Sequence, residues 1–344
     1  MTGKNTSILL IYTGGTIGMV NHPETGALQP VDFKAISNQV PELKRFGYAL
    51  HAIAFDPPLD SSNVNPEVWL KIAEIIKKNY SLYDGFVVLH GTDTMAFSAS
   101  ALSFILENLS KPVIFTGSQL PIGTLRTDGK ENLISAIEIA AAKIDGKALI
   151  PEVCIYFENA LFRGNRTTKY NAEHFNAFTS ENYPPLAETG VYIKYNTAAI
   201  MKPDGRKKLS VQMKLDPRIV ILKLFPGINR SVVEAVLNIP GTKAVVLETF
   251  GSGNAPSDKW FTSCIKAAVK RGLLVLNITQ CHGGSVEMEK YETGMELMKA
   301  GVVSGYDMTT EAAIAKLMYL FGKAYSLAEV KKHLKRSLRG EITL

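Results

Sequence analysis

The chain has 344 residues, 46% of them hydrophobic and 20% charged, which suffices for a sizeable core and favours two domains over one. Its net charge of +6 is spread out, apart from a basic run at 331–336 that complements the dipole of a predicted helix, so we expect no nucleic-acid partner. Three cysteines at no metal spacing, scattered histidines, no long apolar stretch and no secretory signal predict a cytoplasmic protein without a membrane span, a disulfide framework or a metal.

The first predicted element is a buried strand over 8–12, whose apolar and aromatic residues are followed at once by Thr13, Gly14, Gly15 and Thr16. An unbroken apolar run bounded by glycines is typical of a parallel-sheet strand that is covered on both faces. Open α/β sheets bind ligands at the carboxyl ends of such strands. The run lacks the dinucleotide fingerprint and the phosphate-loop lysine. It is therefore either an ordinary turn or a site that presents the Thr16 hydroxyl.

Two later stretches have the same form. The apolar run over 86–89 leads into Gly91, Thr92 and Asp93, and a third run within 111–119 also ends in small polar residues. Because the carboxyl ends of neighbouring parallel strands share one edge of a sheet, we expect these clusters to converge on one site. Asp93 has a plainer interpretation as the cap of the helix that follows.

Connecting segments carry further candidates, each with a structural alternative. The polar segment 21–28 is either a lid over the site or a connector. The oxygen-rich turn over 56–63 follows a strand predicted at 48–55, and such turns usually satisfy local backbone groups. Lys169 lies in a polar segment that is usually solvated, but a lysine at the strand ends could serve as a base.

The order of elements predicts the fold class. Helices predicted over 67–78, over 96–109 and from 125 alternate with the strands, which indicates βαβ units and a mainly parallel sheet. Apolar periodicity is lost over 196–217 and then resumes. We therefore predict an α/β protein with a larger N-terminal domain at 1–195 that carries the site, a linker at 196–217, and a smaller C-terminal α/β domain at 218–344. Strands are expected there over 219–225, 244–249 and 273–279, with three closing helices around Met295, Ile314 and Val330.

Two long motifs carry a family resemblance. Residues 12–19 (Tyr-Thr-Gly-Gly-Thr-Ile-Gly-Met) and 89–95 (Leu-His-Gly-Thr-Asp-Thr-Met) resemble the signature motifs of the asparaginase/glutaminase family, and in particular its cytoplasmic, bacterial type I members. Shorter segments look like the same members, namely 60–62, 163–169, 251–256 and 279–281. The resemblance covers nearly the whole chain. It implies a two-domain enzyme, a homo-dimer or homo-tetramer, that hydrolyses L-asparagine to L-aspartate and ammonia without a cofactor.

The resemblance also implies roles for individual residues. Thr16 resembles the nucleophile that forms a threonine-linked acyl-enzyme, while Thr92, Asp93 and Lys169 resemble the second threonine, the acid and the lysine. The positions implied to bind substrate are Gly15, Asp60, Ser61, Ser62, Gly91, Ser118 and Asn254. Among them, Ser61 and Asp93 would hold the α-carboxylate and α-amino groups, Ser118 would line the amide pocket, and Asn254 would reach the neighbouring subunit's site. The reverse assignment, with Thr92 as nucleophile and Thr16 as positioner, stays open.

Two departures from the family pattern carry predictions. Many members place a tyrosine on the lid, whereas residues 20–47 contain none and Leu28 stands near the expected position. The acylation base is therefore open. Some type I enzymes bind asparagine at a regulatory site through an arginine, where this chain has Glu248. Because a carboxylate does not bind a substrate carboxylate, we predict that this allostery is absent or altered.

Three other functions fit the sequence less well. An ammonia-supplying subunit of a tRNA-dependent amidotransferase normally carries an extra N-terminal domain, and only seven residues precede Ile8. A non-catalytic amino-acid sensor is expected to have lost its hydroxyls or lysine, and a nucleotide-binding protein is expected to have a phosphate-loop lysine. Preference for asparagine over glutamine stays open, because one methylene changes binding by only ~1–3 kcal/mol.

Overall fold

The computed structural model describes residues 6–21, 28–30 and 40–344. The chain divides into two compact units, Met1–Val211 and Gln212–Leu344. The predicted class is confirmed, since the larger first unit is built on a mainly parallel sheet and the smaller second unit on a parallel one. The bounds 1–195 and 218–344 stay predictions. Within the linker predicted at 196–217, Ser210–Val211 forms a strand that pairs inside the first unit.

Eight α-helices lie in the described part of the chain. They are α1 Pro66–Asn79, α2 Met95–Ile105, α3 Gly129–Ala141, α4 Arg230–Leu237, α5 Lys259–Lys270, α6 Glu292–Lys299, α7 Thr310–Gly322 and α8 Leu327–Leu334. The first three belong to the first unit and the other five to the second.

The strands follow the same division between the two units. Those of the first unit are β1 Ser7–Gly14, β2 Met19–Asn21, β3 Leu28–Pro30, β4 Ala49–Leu59, β5 Gly85–Leu89, β6 Leu106–Glu107, β7 Val113–Thr116, β8 Lys143–Ile144, β9 Lys147–Ala148, β10 Val153–Phe157, β11 Ala160–Arg163, β12 Thr168–Lys169, β13 Phe178–Thr179, β14 Ala187–Thr189, β15 Ile193–Tyr195 and β16 Ser210–Val211. Those of the second unit are β17 Ile219–Lys223, β18 Ala244–Thr249, β19 Leu274–Thr279 and β20 Val303–Ser304.

The main sheet of the first unit has eight strands in the order β15-β14-β11-β10-β7-β5-β1-β4. The five strands from β10 to β4 are parallel to one another, and β11, β14 and β15 pair in antiparallel fashion at the β10 edge. In the register, Tyr12 lies beside Leu89, and Leu89 lies beside Thr116. The strands β1, β5 and β7 therefore end level with one another, and the turns that follow them share one edge of the sheet.

Burial explains why these strands are so apolar. Every residue of β1, β5, β7 and β10 is buried, as expected for parallel strands that are covered on both faces. Helix α1 begins at its N-cap Asn65, whose side chain accepts from the Val68 N–H, and it buries a face that includes Trp69, Ile72 and Ile76. The helix predicted over 67–78 is thereby confirmed.

The second unit has a four-stranded parallel sheet in the order β17-β18-β19-β20. Its core includes Leu247 and Val275 from the sheet, together with Phe261 and Ile265 from α5. The strands predicted over 219–225, 244–249 and 273–279 and the three closing helices are present. Strand β20 has only two residues and was not predicted.

Two predicted helices differ from the observed ones at their ends. The helix predicted over 96–109 ends at Ile105, because Leu106 and Glu107 pair with β16 instead. The helix predicted from 125 begins at Gly129. The preceding turn is held in place by the Asp128 carboxylate, which accepts backbone N–H groups from residues 119 and 120.

Candidate active site

The turns after β1 and β5 touch each other through their glycines. A Cβ atom placed on Gly15 would lie only 2.5 Å from both the Cα and the N of Gly91. One placed on Gly91 would lie 2.5 Å from the Ser61 Oγ. Gly15 also has a φ of 88°, which disfavours any side chain. The structure thus brings together the predicted residues Gly15, Gly91 and Ser61, with Thr16 and Thr92 next along the two turns.

Thr16 begins a short 3₁₀ turn, Thr16–Gly18, and is half-buried. The turn is supported by Tyr12, whose hydroxyl donates to the Gly18 carbonyl at 3.0 Å. Burial raises the pKa of Tyr12 to about 12, so this phenol stays protonated and acts as a donor. The Thr16 hydroxyl therefore stands on a braced turn at the carboxyl end of a buried strand.

Thr92, Asp93 and Lys169 form one connected network. The Lys169 Nζ lies 2.8 Å from the Thr92 Oγ1 and 2.8 Å from the Asp93 Oδ1. Lys169 belongs to β12, which pairs with β13 in a hairpin that carries the side chain to the strand ends. The side chain of Lys169 is 15% exposed and that of Asp93 66%, so the pair opens to solvent on the carboxylate side.

The structural alternative for Asp93 is wrong. The N-cap residue of α2 is Thr94, and its hydroxyl donates to the Ser61 carbonyl at 2.7 Å. The Asp93 carboxylate instead receives an N–H from Lys169. Thr94 ties the turn that carries Ser61 to the turn that carries Thr92.

Asp60 satisfies polar groups of its own turn, which was the structural alternative for that segment. Its carboxylate accepts from the Ser62 backbone N–H at 2.8 Å and from the Ser62 hydroxyl at 2.9 Å. These donors, the backbone N–H first, lower the pKa of Asp60. The arrangement fixes the loop that presents the buried Ser61. Substrate roles for Asp60, Ser61 and Ser62 stay predictions.

The two remaining predicted residues lie in different units. Ser118 is buried, and its Cβ lies 3.2 Å from where a Cβ on Gly129 would stand. Ile17, which follows Thr16, contacts the same point at 3.4 Å. Asn254 lies in the second unit, where its backbone bridges to Phe250 and its Oδ1 accepts from Thr293 at 3.0 Å.

The predicted lid lies largely outside the described residues. Residues 22–27 are not described, while the flanking strands β2 and β3 pair with each other in an antiparallel hairpin. At the predicted regulatory position, Glu248 is buried; its carboxylate accepts from the Thr310 hydroxyl at 2.8 Å and lies 3.5 Å from the Lys223 Nζ. The prediction about allostery stays a prediction.

Sequence reasoning missed Gln119 and Asp128. The Gln119 Oε1 accepts from the Thr92 hydroxyl at 3.1 Å, so Gln119 joins the network directly. Asp128 accepts the backbone N–H groups of Gln119 and Leu120 at 2.9 and 3.2 Å. Burial raises the pKa of Asp128, although these donors act in the opposite direction. The signal for Gln119 was its place just past the third strand; Asp128 was assigned to a helix.

Sequence reasoning also missed His90, which lies beneath the Gly91 turn. Its Nδ1 lies 2.7 Å from the Gly91 carbonyl, and its Nε2 lies 2.9 Å from the Ser98 hydroxyl, which accepts from the Trp69 indole N–H. Because a carbonyl only accepts, we assign the proton to Nδ1 and the acceptor role to Nε2. Complete burial lowers the pKa of His90 to about 4. A neutral histidine therefore supports this turn.

Among the described residues, no three His, Cys, Asp or Glu side chains are grouped so that they could hold a metal ion. None of the described helices has both the length and the apolar character needed to cross a membrane.

Comparisons with known proteins cover both units. A family model described as "Asparaginase, N-terminal" matches residues 7–201, and one described as "Glutaminase/Asparaginase C-terminal domain" matches residues 218–334. L-asparaginase 1 of Escherichia coli K12 is 45% identical, with 99% of each chain covered. A 60 kDa lysophospholipase of Mus musculus is 44% identical over 99% of this chain, which spans only 63% of that relative's length.

A solved structure extends the similarity to three dimensions. The crystal structure of L-asparaginase I from Vibrio cholerae superimposes with a TM-score of 0.89 at 43% sequence identity. The superposition covers 99% of this chain and 100% of that one.

Proposed function

The chain belongs to the asparaginase family, and on that premise we propose that it is an L-asparaginase, which hydrolyses L-asparagine to L-aspartate and ammonia through a threonine-linked acyl-enzyme. The observation that carries the proposal is the direct contact between Gly15 and Gly91. This contact sets Thr16 on one turn and the Thr92–Lys169 pair on the next, at one edge of the sheet. A hydroxyl pair at such an edge suits acyl transfer.

The hydrogen bonds favour Thr16 over Thr92 as the nucleophile. The Thr92 oxygen already contacts both Lys169 and Gln119. Thr16 lies on the braced 3₁₀ turn, next to the backbone N–H groups that a Gly-rich turn offers. Such N–H donors would stabilise the oxyanion of the tetrahedral intermediate, and each would lower the activation free energy by ~3 kcal/mol.

The reaction then proceeds in two steps. The Thr16 Oγ bonds to the side-chain amide carbon of asparagine while a general base takes its proton, and the C–N bond breaks as the nitrogen leaves, protonated, as ammonia. Water attacks the resulting ester and regenerates the Thr16 hydroxyl, with Thr92 and Lys169 placed to handle its proton. Neither step requires a cofactor.

Binding roles follow the position of each group. We assign the α-ammonium group of the substrate to the exposed carboxylate of Asp93 and the α-carboxylate to the turn of Ser61 and Ser62, with Gly15 and Gly91 close by. Ser118 would line the side of the pocket that faces the amide. Asp60 would act by holding the Ser62 turn in place.

We further propose a cytoplasmic homo-dimer or homo-tetramer. The support for assembly is the resemblance of Asn254 to a residue that reaches a neighbouring subunit's site, and its place in the second unit. The support for the compartment is an odd number of cysteines, all of them free. Sedimentation of the purified chain tests the first of these statements.

Ammonia release tests the proposed function. We expect the wild-type chain to release ammonia from L-asparagine, and Thr16→Ala and Thr92→Ala to be nearly inactive; a parallel assay with L-glutamine measures the preference between the two amides. Ser110→Ala is a matched hydroxyl control in the first unit, because Ser110 bonds Tyr80 and not the site. Binding of asparagine without any ammonia release by the wild type would overturn the proposal.

A further inference from the structure

The side-chain amide of Gln119 connects the candidate site to a loop that the mechanism does not use. Its Nε2 donates to the backbone carbonyls of Ala172 and His174, each at 3.1 Å. Its Oε1 accepts the Thr92 hydroxyl at 3.1 Å. The loop 170–177 joins β12, which carries Lys169, to β13. One amide therefore contacts both Thr92 and the hairpin of Lys169.

The chemistry of the partners fixes which way this amide faces. The oxygen and nitrogen of a glutamine amide are assigned from their hydrogen bonds. The carbonyls of Ala172 and His174 only accept, so both must face the nitrogen, which has two hydrogens to donate. The oxygen is then the atom that faces Thr92, and it only accepts.

This orientation determines the direction of every hydrogen bond on Thr92. A threonine hydroxyl has one hydrogen to donate and two lone pairs. Its hydrogen is taken by the Gln119 oxygen, so the contact with the Lys169 Nζ at 2.8 Å must be one in which Lys169 donates. Lys169 also donates to the Asp93 carboxylate. One Thr92 lone pair is left for the substrate or water.

The backbone holds Gln119 in a fixed place. The carboxylate of Asp128 accepts the N–H groups of Gln119 and Leu120. Asn132 donates to the same carboxylate at 3.3 Å and to the Gly117 carbonyl at 2.9 Å. The segment between β7 and α3 is thus pinned on both sides of Gln119, so the side chain starts from a defined point.

We propose that Gln119 is a positioning residue, which keeps the Thr92 hydrogen turned away from Lys169 and leaves Thr92 as an acceptor on its other sides. The proposal rests on the proposed function for its catalytic consequence. Before Thr92 could pass its own proton to Lys169, it would have to leave Gln119. Gln119 therefore sets the order in which protons move through Thr92 when water attacks the acyl-enzyme.

Kinetics of two Gln119 variants separate positioning from simple support of the loop. Gln119→Met removes the acceptor for Thr92, and we expect kcat for asparagine to fall about tenfold while KM changes less than about twofold. Gln119→Glu keeps an acceptor but places a carboxylate against two carbonyls. If Gln119 positions Thr92, the Glu variant keeps a higher kcat than the Met variant. If Gln119 only clamps the loop, the Glu variant is the worse of the two, and the proposal fails.

The matched control loosens the same loop without touching Thr92. The Asn171 Oδ1 accepts the N–H groups of Glu173 and His174 at 2.8 Å each. We expect Asn171→Ala to keep kcat within about twofold of the wild type, because the Thr92–Gln119 bond is intact. A loss in Asn171→Ala as large as that in Gln119→Met would overturn the proposal.

A joint neutron and X-ray structure of the deuterium-exchanged wild-type protein tests the proposal without any assay of activity. The proposal expects the Thr92 deuterium to lie on the line to the Gln119 oxygen, with a Lys169 deuterium directed at Thr92. A Thr92 deuterium directed at Lys169 would overturn it. If the wild type releases no ammonia, the proposed function fails, while the deuterium position still decides the role of Gln119.

Discussion

Two lysines, one in each unit, form ion pairs in different surroundings. Lys316 and its partner Glu341 are both 0% exposed. The ammonium of Lys316 also donates to the carbonyls of Leu334 and Arg336, so its hydrogens are directed at protein acceptors. Lys169 is 15% exposed, and its carboxylate partner is 66% exposed. The Lys316 pair is closed off from solvent, whereas the Lys169 pair opens to solvent on its carboxylate side.

The difference shows what distinguishes a functional ion pair from a structural one. The Lys316–Glu341 pair ties α7 to the residues that follow α8, and Glu341 also accepts the N–H groups of Leu338 and Arg339. The Lys169 network contains the Thr92 hydroxyl, and under the proposed mechanism the Asp93 carboxylate, which is 66% exposed, would exchange Lys169 for the cationic group of the substrate. Breaking a buried pair whose hydrogens are all satisfied leaves an uncompensated buried charge, so the loss of Lys316 should lower stability. The loss of Lys169 leaves only a solvated carboxylate, so we expect it to affect the proposed reaction rather than stability.

Removing Lys169, to which we assign a catalytic role, gives the largest expected effect. Lys169→Met removes the group next to Thr92, and we expect kcat for asparagine to fall on the order of a thousandfold, which is typical when a general acid or base is lost. The free energy of unfolding should change by less than about 1 kcal/mol, because the carboxylate left behind, that of Asp93, is 66% exposed and stays solvated. Steady-state kinetics and urea unfolding on the same sample check both statements.

Removing the structural lysine should reverse that pattern. Lys316→Met leaves Glu341 buried without its partner, and the free energy of unfolding of the second unit should fall by about 4 kcal/mol. At temperatures where this variant is folded, kcat should stay within about twofold of the wild type. A thousandfold loss of kcat in Lys316→Met, without unfolding, would contradict the comparison.

The contact between the two glycine turns should be sensitive to a single methyl group. Gly15→Ala adds a Cβ 2.5 Å from the Gly91 backbone at a φ of 88°, and we expect the free energy of unfolding to fall by about 3 kcal/mol. Gly227 has a similar φ of 92° with no heavy atom near its Cβ position. Gly227→Ala should therefore cost only about 1 kcal/mol, from backbone strain alone. Equal losses in the two variants would mean that the turns do not touch.

Protonation of His90 gives a smaller, pH-dependent effect. Its pKa is about 4 in the folded protein, below the ordinary value of 6.5. Between these two pH values His90 is protonated in the unfolded chain and neutral in the folded one. The stability from neutral His90 is complete above pH 6.5 and is lost as the pH falls towards 4. Between about pH 6.5 and 5 this loss amounts to about 2 kcal/mol.

A non-titrating variant isolates that contribution. His90→Gln cannot take up a proton, so its unfolding free energy should fall less steeply over the same pH range than that of the wild type. The carboxylates that also titrate in this range are common to both proteins and cancel in the difference. Parallel pH curves for the two proteins would contradict the assigned pKa.

The fold could be predicted from the sequence because strands that are buried on both faces are apolar along their whole length. The strands β1, β5 and β7 are covered on both faces. Apolar and polar residues therefore do not alternate along them, and each strand stands out in the sequence as an unbroken apolar run. Their polar ends then had to meet at one edge, as Gly15 and Gly91 do. The start of α3 was placed four residues too early, because Asp128 looks like a first-turn residue and in fact binds a distant backbone.

The supporting residues of the site could not be predicted in the same way. Gln119 acts through the carbonyls of Ala172 and His174, which lie more than 50 residues further along the chain. His90 depends on Ser98 and Trp69, which come from two different helices. Any residue offers a backbone carbonyl, so contacts of this kind leave no pattern in the sequence. The motifs pointed to Thr92, Asp93 and Lys169, which the structure connects, but they gave no sign of Gln119 or His90.

The measurement that tests the central claim most directly is the position of the acyl group. The Lys169→Met variant keeps both threonines and should hydrolyse its acyl-enzyme slowly. The sample would be mixed with L-asparagine, quenched in acid, digested and mapped by mass spectrometry. We predict an aspartyl ester on the peptide that contains Thr16. An ester on the peptide that contains Thr92 would reverse the two roles and contradict the account.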